Sequence, residues 1–132
     1  MAQGPSGINI FIEIKNANVQ LDSVYFRGKG TKLDNLIQVG HDTIIGEKCL
    51  IASQSGIAGC CIIEDEVTIW GQVGTNSGIT IGAKAVILGQ TGVTKSIEGG
   101  KTYFGTPIEE SRAKLKELAL LRKLPAIIKD LK

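Results

Sequence analysis

From Leu33 onward the chain divides into units of six residues: LDNLIQ, VGHDTI, IGEKCL, IASQSG, IAGCCI, IEDEVT, IWGQVG, TNSGIT, IGAKAV, ILGQTG and VTKS. The first place is Leu, Val or Ile in ten of the eleven units, Thr75 being the exception. The second is Gly, Ala, Asp or Glu in seven of eleven, and the fifth is mostly small or β-branched. Two apolar places separated by two and four residues fit a pleated strand that alternates sides, not the 3.6-residue period of a helix. A small residue at the second place suits a tight corner and predicts glycine there at positive φ. One unit cannot bury its apolar face alone, so successive coils must stack into a solenoid.

Composition agrees. Glycine is 17 of 132 residues, about twice its usual share. The three prolines, Pro5, Pro107 and Pro125, leave residues 6–106 uninterrupted. The length suits one domain and excludes folds needing about 250 residues, such as a TIM barrel. No apolar run is long enough to span a bilayer and no signal-peptide core opens the chain, so a soluble, cytoplasmic protein is expected. Cys49, Cys60 and Cys61 are an odd number without CxxC spacing, which predicts reduced structural thiols and no zinc site.

The charge is uneven. Residues 1–111 hold 8 basic and 11 acidic residues, whereas 112–132 hold 7 basic and 2 acidic, a surplus of five. A basic tail suits an acidic partner or a solvated helix face. No aromatics interleave with it, which argues against a nucleic-acid stacking platform. Thr106-Pro107-Ile108-Glu109 reads as a helix start, with Thr as N-cap and Pro at the first helical position. Ile108, Leu115, Leu118 and Ala119 form an apolar stripe with Leu121 and Leu124 beside it, and Pro125 is expected to end the helix.

The repeat resembles the hexapeptide-repeat proteins that fold as left-handed parallel β-helices, three units to a coil. The fold class implied is all-β, a left-handed parallel β-helix with a C-terminal α-helical segment. Its handedness comes from the resemblance. The expected organisation is a β-helix over 1–105 and a helical extension over 106–132. Residues 33–92 would supply a little over three coils, 21–32 a further part-coil, and 1–20 an irregular first coil or cap.

One imidazole is present, His41, third in its unit and pointing out of the solenoid. A solvated surface histidine and a general base both fit that place. Asp42 follows and could orient the ring. Gly59, three units further along the chain, would stack beside it and offer an N–H to a tetrahedral oxyanion. A base beside an amide donor, with no paired nucleophile, fits direct acyl transfer to an amine or hydroxyl.

The run Lys32 to Asp42 is similar to the active-site segment of the UDP-3-O-acylglucosamine N-acyltransferases, a family of lipid A biosynthesis. Ile57-Ala58-Gly59, Ile69-Trp70-Gly71-Gln72-Val73-Gly74, the stretch Gly99-Gly100-Lys101-Thr102-Tyr103-Phe104-Gly105-Thr106-Pro107 and the end Leu120-Leu121-Arg122-Lys123-Leu124-Pro125 carry the same likeness. The resemblance implies transfer of a 3-hydroxyacyl chain from acyl carrier protein to the 2-amino group of a UDP-sugar. It implies His41 as general base, Gly59 as oxyanion donor, Asn35 as an active-site asparagine and Asp42 as the orienting acid. It implies no cofactor beyond the thioester co-substrate. It also implies a homotrimer with sites between subunits, where Asn35 and His41 of one site can come from different chains.

The acidic carrier protein would dock on Arg112, Lys114, Lys116, Arg122 and Lys123. The likeness covers roughly 28–130 and little chain precedes it, so a relative lacking the uridine-holding N-terminal domain is expected. A non-catalytic trimeric scaffold, or a truncated core, is the alternative. A zinc carbonic anhydrase on the same solenoid needs three distinct histidines, and this chain has one. A small-molecule acetyltransferase using acetyl-CoA is a further possibility.

Overall fold

The structure, a computed structural model, describes residues 12–14 and 18–132. The part of the expected first coil that falls on 1–11 and 15–17 lies outside them. Among the described residues sixteen short strands precede one helix: β1 (Ile12–Ile14), β2 (Val19–Leu21), β3 (Tyr25–Phe26), β4 (Thr31–Leu33), β5 (Ile37–Val39), β6 (Ile44–Ile45), β7 (Leu50–Ile51), β8 (Gly56–Ile57), β9 (Ile62–Ile63), β10 (Thr68–Ile69), β11 (Gly74–Thr75), β12 (Thr80–Ile81), β13 (Val86–Ile87), β14 (Gly92–Val93), β15 (Thr102–Phe104), β16 (Glu109–Glu110) and α1 (Ser111–Asp130). Through β14, every third strand joins the same sheet. The first sheet runs β1-β4-β7-β10-β13-β15-β16, the second β14-β11-β8-β5-β2, and the third β12-β9-β6-β3. The result is a left-handed parallel β-helix of about 5 turns, three-sided, with one terminal helix. Gln38 pairs with Gly56 and Ile44 with Ile62, so each unit lies against the third one after it.

The first and fifth places face inward. Leu33, Val39, Ile45, Ile51, Ile57, Ile63, Ile69, Ile81, Ile87 and Val93 are all buried, and the fifth-place residues Ile37, Val67, Val73, Ile79 and Ala85 join them. Five polar fifth-place residues share one recurring bond, while Thr91 Oγ1 donates within its own unit to Leu88 O (2.7 Å). Thr31 Oγ1 donates to Gly46 O (2.8 Å), Thr43 Oγ1 to Ala58 O (2.9 Å), Cys49 Sγ to Glu64 O (3.1 Å), Ser55 Oγ to Trp70 O (3.1 Å) and Cys61 Sγ to Asn76 O (3.3 Å). In these five a short donor at the fifth place thus reaches the second-place carbonyl of the next coil and gives the buried side chain a partner.

The corner glycines differ from expectation. Positive φ falls at the fourth place, on Leu36, Asp42, Lys48, Gln54, Cys60, Glu66, Gln72, Gly78, Lys84 and Gln90. All but one of these are not glycine. The second-place glycines have ordinary φ and are small for another reason. A Cβ on Gly40 would stand 2.5 Å from the Gly59 nitrogen, and one on Gly82 would meet the Gly99 nitrogen. Adjacent coils touch backbone to backbone there. One fourth-place column is tied by side-chain amides: Gln72 donates to Gln54 (2.6 Å) and Gln90 to Gln72 (2.9 Å).

The end of the chain departs from expectation in two ways. Thr106 and Pro107 lie in a turn joined by a cis peptide, and α1 starts at Ser111 with Glu110 as its N-cap. Thr106 Oγ1 accepts from Gly92 N–H instead of capping the helix (3.0 Å). Ile108 is fully buried and β16 pairs antiparallel with β15, so this segment closes the base of the solenoid before the helix begins. Pro125 does not end the helix, which continues to Asp130. A proline forfeits one bond to the carbonyl four residues back. Here that is Leu121, which is exposed, so water can take the freed oxygen. Helix α1 packs on β15 and β16. Leu121, Leu124, Ile127, Ile128 and Leu131 are exposed along its outer length.

Candidate active site

Residues 39–45 and 57–63 cross the same corner of the β-helix in neighbouring coils. Third-place residues stack on third-place residues, so His41 lies over Gly59. Fourth-place residues do likewise, so Asp42 lies over Cys60. The backbone ladder sets this stacking: Cys60 N–H donates to His41 O (2.8 Å) and Asp42 N–H to Ser23 O (3.1 Å). Asp42 and Cys60 share left-handed backbone, with φ of 59° and 60°. Their side chains therefore leave the corner in parallel, one coil apart.

The imidazole fits between them. His41 Nδ1 stands 3.1 Å from Asp42 Oδ2. The pair is well exposed, 62% for His41 and 72% for Asp42. A carboxylate on Nδ1 holds the proton there and leaves Nε2 as the free lone pair. Nε2 reaches over Gly59: a Cβ built on Gly59 would lie 2.8 Å from it. Only glycine leaves room for the ring in this position.

The Gly59 N–H has no hydrogen-bond partner among the described residues. Third-place amides elsewhere show what such a group attracts. Asn35 N–H takes Asp34 Oδ1 (2.8 Å), Glu47 N–H takes Asp65 Oδ1 (2.9 Å) and Ala83 N–H takes Glu64 Oε1 (3.1 Å). These three corners are capped by carboxylate oxygen; the one beside His41 is among those that are not, and it alone lies next to an imidazole. An uncapped amide next to a base can receive the oxygen of a substrate carbonyl.

Asn35 is not brought to this corner. It precedes β5 and His41 follows it, so one chain holds the two at opposite ends of that strand. The Asn35 side-chain oxygen is buried and without a hydrogen-bond partner.

Sequence reasoning also missed Cys60. Cys49 and Cys61 are buried, but Cys60 is exposed, and its Sγ lies 4.0 Å from His41 Nδ1. The signal was available as the three-unit step from Asp42. Among the basic residues expected to receive an acidic partner, Lys114 is withdrawn. It is 8% exposed, its stem packs against Gly105, and its Nζ faces Glu117 Oε1 at 3.4 Å. Arg112, Lys116, Arg122 and Lys123 are exposed. Burial pushes the Cys49 thiol pKa up, against the lowering effect of its hydrogen bonds. No helix among the described residues is long and apolar enough to cross a membrane.

No protein-family model matches the chain. Curated bacterial proteins do. UDP-3-O-acylglucosamine N-acyltransferase of Campylobacter lari is 45% identical over 102 residues, covering 74% of this chain and 32% of that protein. The protein of the same name from Methylobacterium sp. is 39% identical over 99 residues, covering 75% of this chain and 28% of that protein. The chain thus resembles these N-acyltransferases over most of its own length, and spans a minor part of theirs. Among solved structures, the acetyltransferase domain of PglB from Neisseria gonorrhoeae FA1090, in complex with acetyl coenzyme A, has a TM-score of 0.60 at 13% identity, covering 75% of this chain and 57% of that one. That likeness is one of fold.

Proposed function

We propose that the chain carries the catalytic corner of an N-acyltransferase that moves a 3-hydroxyacyl group from acyl carrier protein to the 2-amino group of UDP-3-O-acylglucosamine. The observation that carries this reading is the His41 ring, held by Asp42 through Nδ1 with Nε2 over Gly59. In the reaction, Nε2 takes a proton from the substrate amine as its nitrogen attacks the thioester carbonyl. The carbonyl oxygen becomes an oxyanion and is held by the Gly59 N–H. The C–S bond then breaks, and the departing thiolate receives the proton from the imidazolium. Asp42 stabilises that imidazolium and keeps the ring oriented. The thioester is a co-substrate, so no cofactor is required.

The corner is open on one chain, and Asn35 lies on another edge. A homotrimer with sites between subunits would bring Asn35 of one copy toward His41 of the next and give the Asn35 oxygen a partner. The exposed Arg112, Lys116, Arg122 and Lys123 supply a surface for the acidic carrier protein.

The test is an acyl-transfer assay with this chain, labelled 3-hydroxyacyl carrier protein and the UDP-monoacylglucosamine. Formation of the amide, lost in His41→Ala, supports the reading. A folded, oligomeric protein that transfers nothing would leave a scaffold in which the corner is idle. The openness of the His41 corner is the observation that favours this second reading.

A further inference from the structure

We propose that His41, Asp42 and Cys60 form a site for one thiophilic divalent cation of the zinc class. Each residue offers one ligand atom, and the imidazole nitrogen, carboxylate oxygen and sulfur all lie within 4.8 Å of one another. Nδ1 is 3.1 Å from Asp42 Oδ2 and 4.0 Å from Cys60 Sγ. Tetrahedral zinc, with bonds of about 2.0–2.1 Å to nitrogen and about 2.3 Å to sulfur, sets ligand atoms roughly 3.3–3.6 Å apart. The two spacings to Nδ1 bracket that range, and the carboxylate and sulfur, within 4.8 Å of each other, are brought together by side-chain rotation.

The donor set is selective. A thiolate with an imidazole favours zinc, cobalt or copper over magnesium or calcium, which prefer oxygen. Three protein ligands leave a fourth position for water. The ligands come from adjacent coils whose backbones are bonded to each other at His41 O and Cys60 N, so the site is held by the solenoid itself. The cysteine spacing in sequence predicts no such site, because His41 and Cys60 stand three units apart in the chain and meet only through coil stacking.

Occupancy has a consequence for the ring. A cation on Nδ1 moves the imidazole proton to Nε2, and an N–H cannot accept a proton from an amine. Cation binding and base catalysis then exclude one another. This consequence, unlike the site, rests on His41 being the base.

The experiment titrates the reduced, metal-free full chain with Co²⁺ near neutral pH, reading the near-ultraviolet thiolate-to-cobalt charge-transfer band and the visible d–d bands. We expect saturation at one ion per chain and displacement by Zn²⁺. Cys60→Ser should remove the thiolate band, and Asp42→Asn should weaken binding by at least about tenfold. Circular dichroism checks that both variants stay folded. Absence of the band in the parent overturns the proposal, as does its survival in Cys60→Ser, which would place the ion on Cys49 or Cys61. Zn²⁺ should also inhibit acyl transfer by the parent far more than by Cys60→Ser. Stoichiometric cobalt binding with undiminished transfer would overturn the base role of His41 and leave the site standing.

Discussion

His41 contributes little to packing and much to the proposed chemistry. Its ring is mostly in solvent, and no other imidazole can take the proton. His41→Ala should therefore lower acyl transfer by at least about 100-fold, the usual scale for a general base, with almost no change in melting temperature. Gly59→Ala acts on the same ring. Its methyl would meet all three of the nearest imidazole atoms within 3.0 Å, so the ring must swing off the corner while the residue 59 N–H remains. Activity should fall and stability should hold, because the ring has solvent to move into. Steady-state rates and thermal melts on both variants check this pair. If His41→Ala transfers acyl groups at the parent rate, the general-base role is excluded.

The cysteines separate by burial. Cys60 should alkylate readily in the native protein, whereas Cys49 and Cys61 should react only on unfolding, measured by mass spectrometry after iodoacetamide. Cys49 also makes stability depend on pH. Its folded pKa is raised above the ordinary thiol value by burial. The neutral thiol's contribution is thus fully present below the unfolded pKa, and it is lost as pH rises through the folded one. Cys49→Ser keeps a donor for Glu64 O and should shift this alkaline limb while remaining folded. Cys49→Ala leaves that carbonyl unpaired and should cost about 1–3 kcal/mol. Chemical denaturation across alkaline pH distinguishes the two.

At the scale of the coil, glycines are not equivalent. A methyl on Gly82 would run into the backbone of residues 98 and 99, which cannot step aside without opening the stack. Gly74, in a strand, would place a methyl in open space. Gly82→Ala should cost about 1–3 kcal/mol, the usual penalty for overpacking, and Gly74→Ala should be close to neutral. Equal denaturation midpoints for the two variants would contradict backbone contact as the reason for the second-place glycines. The helix obeys a different logic. Its first turn is anchored on β15 and β16 near Gly105, and its later turns stand exposed.

For the whole molecule, that exposed helix bears on assembly. Leu121, Leu124 and Ile128 are exposed at helical spacing, an apolar strip that a monomer would leave in water. We expect a homotrimer by sedimentation equilibrium at micromolar concentration, and a lighter species when Leu121, Leu124 and Ile128 are changed to Ser. A parent that sediments with the mass of a single chain would rule the trimer out. It would also leave Asn35 far from His41, since one chain keeps them at opposite ends of β5.

The period of six was sufficient by itself to specify the solenoid, the inward first and fifth places and the outward setting of His41. Each of these follows from side-chain alternation and the need of one coil to bury its face against the next. The three-unit coil came from the family resemblance, and with it Gly59 falls beside His41. Where the helix begins, and that it runs through Pro125, was decided by tertiary structure. Burying Ile108 and pairing β16 with β15 outweighed the local Thr-Pro signal, and solvent at Leu121 made the proline tolerable. The reason for the corner glycines was also tertiary, since backbone contact between coils leaves no trace in local φ preference. For Cys60 the three-unit step from Asp42 gives only its place one coil on; its nearness to His41 depends on two left-handed residues sending their side chains out in parallel.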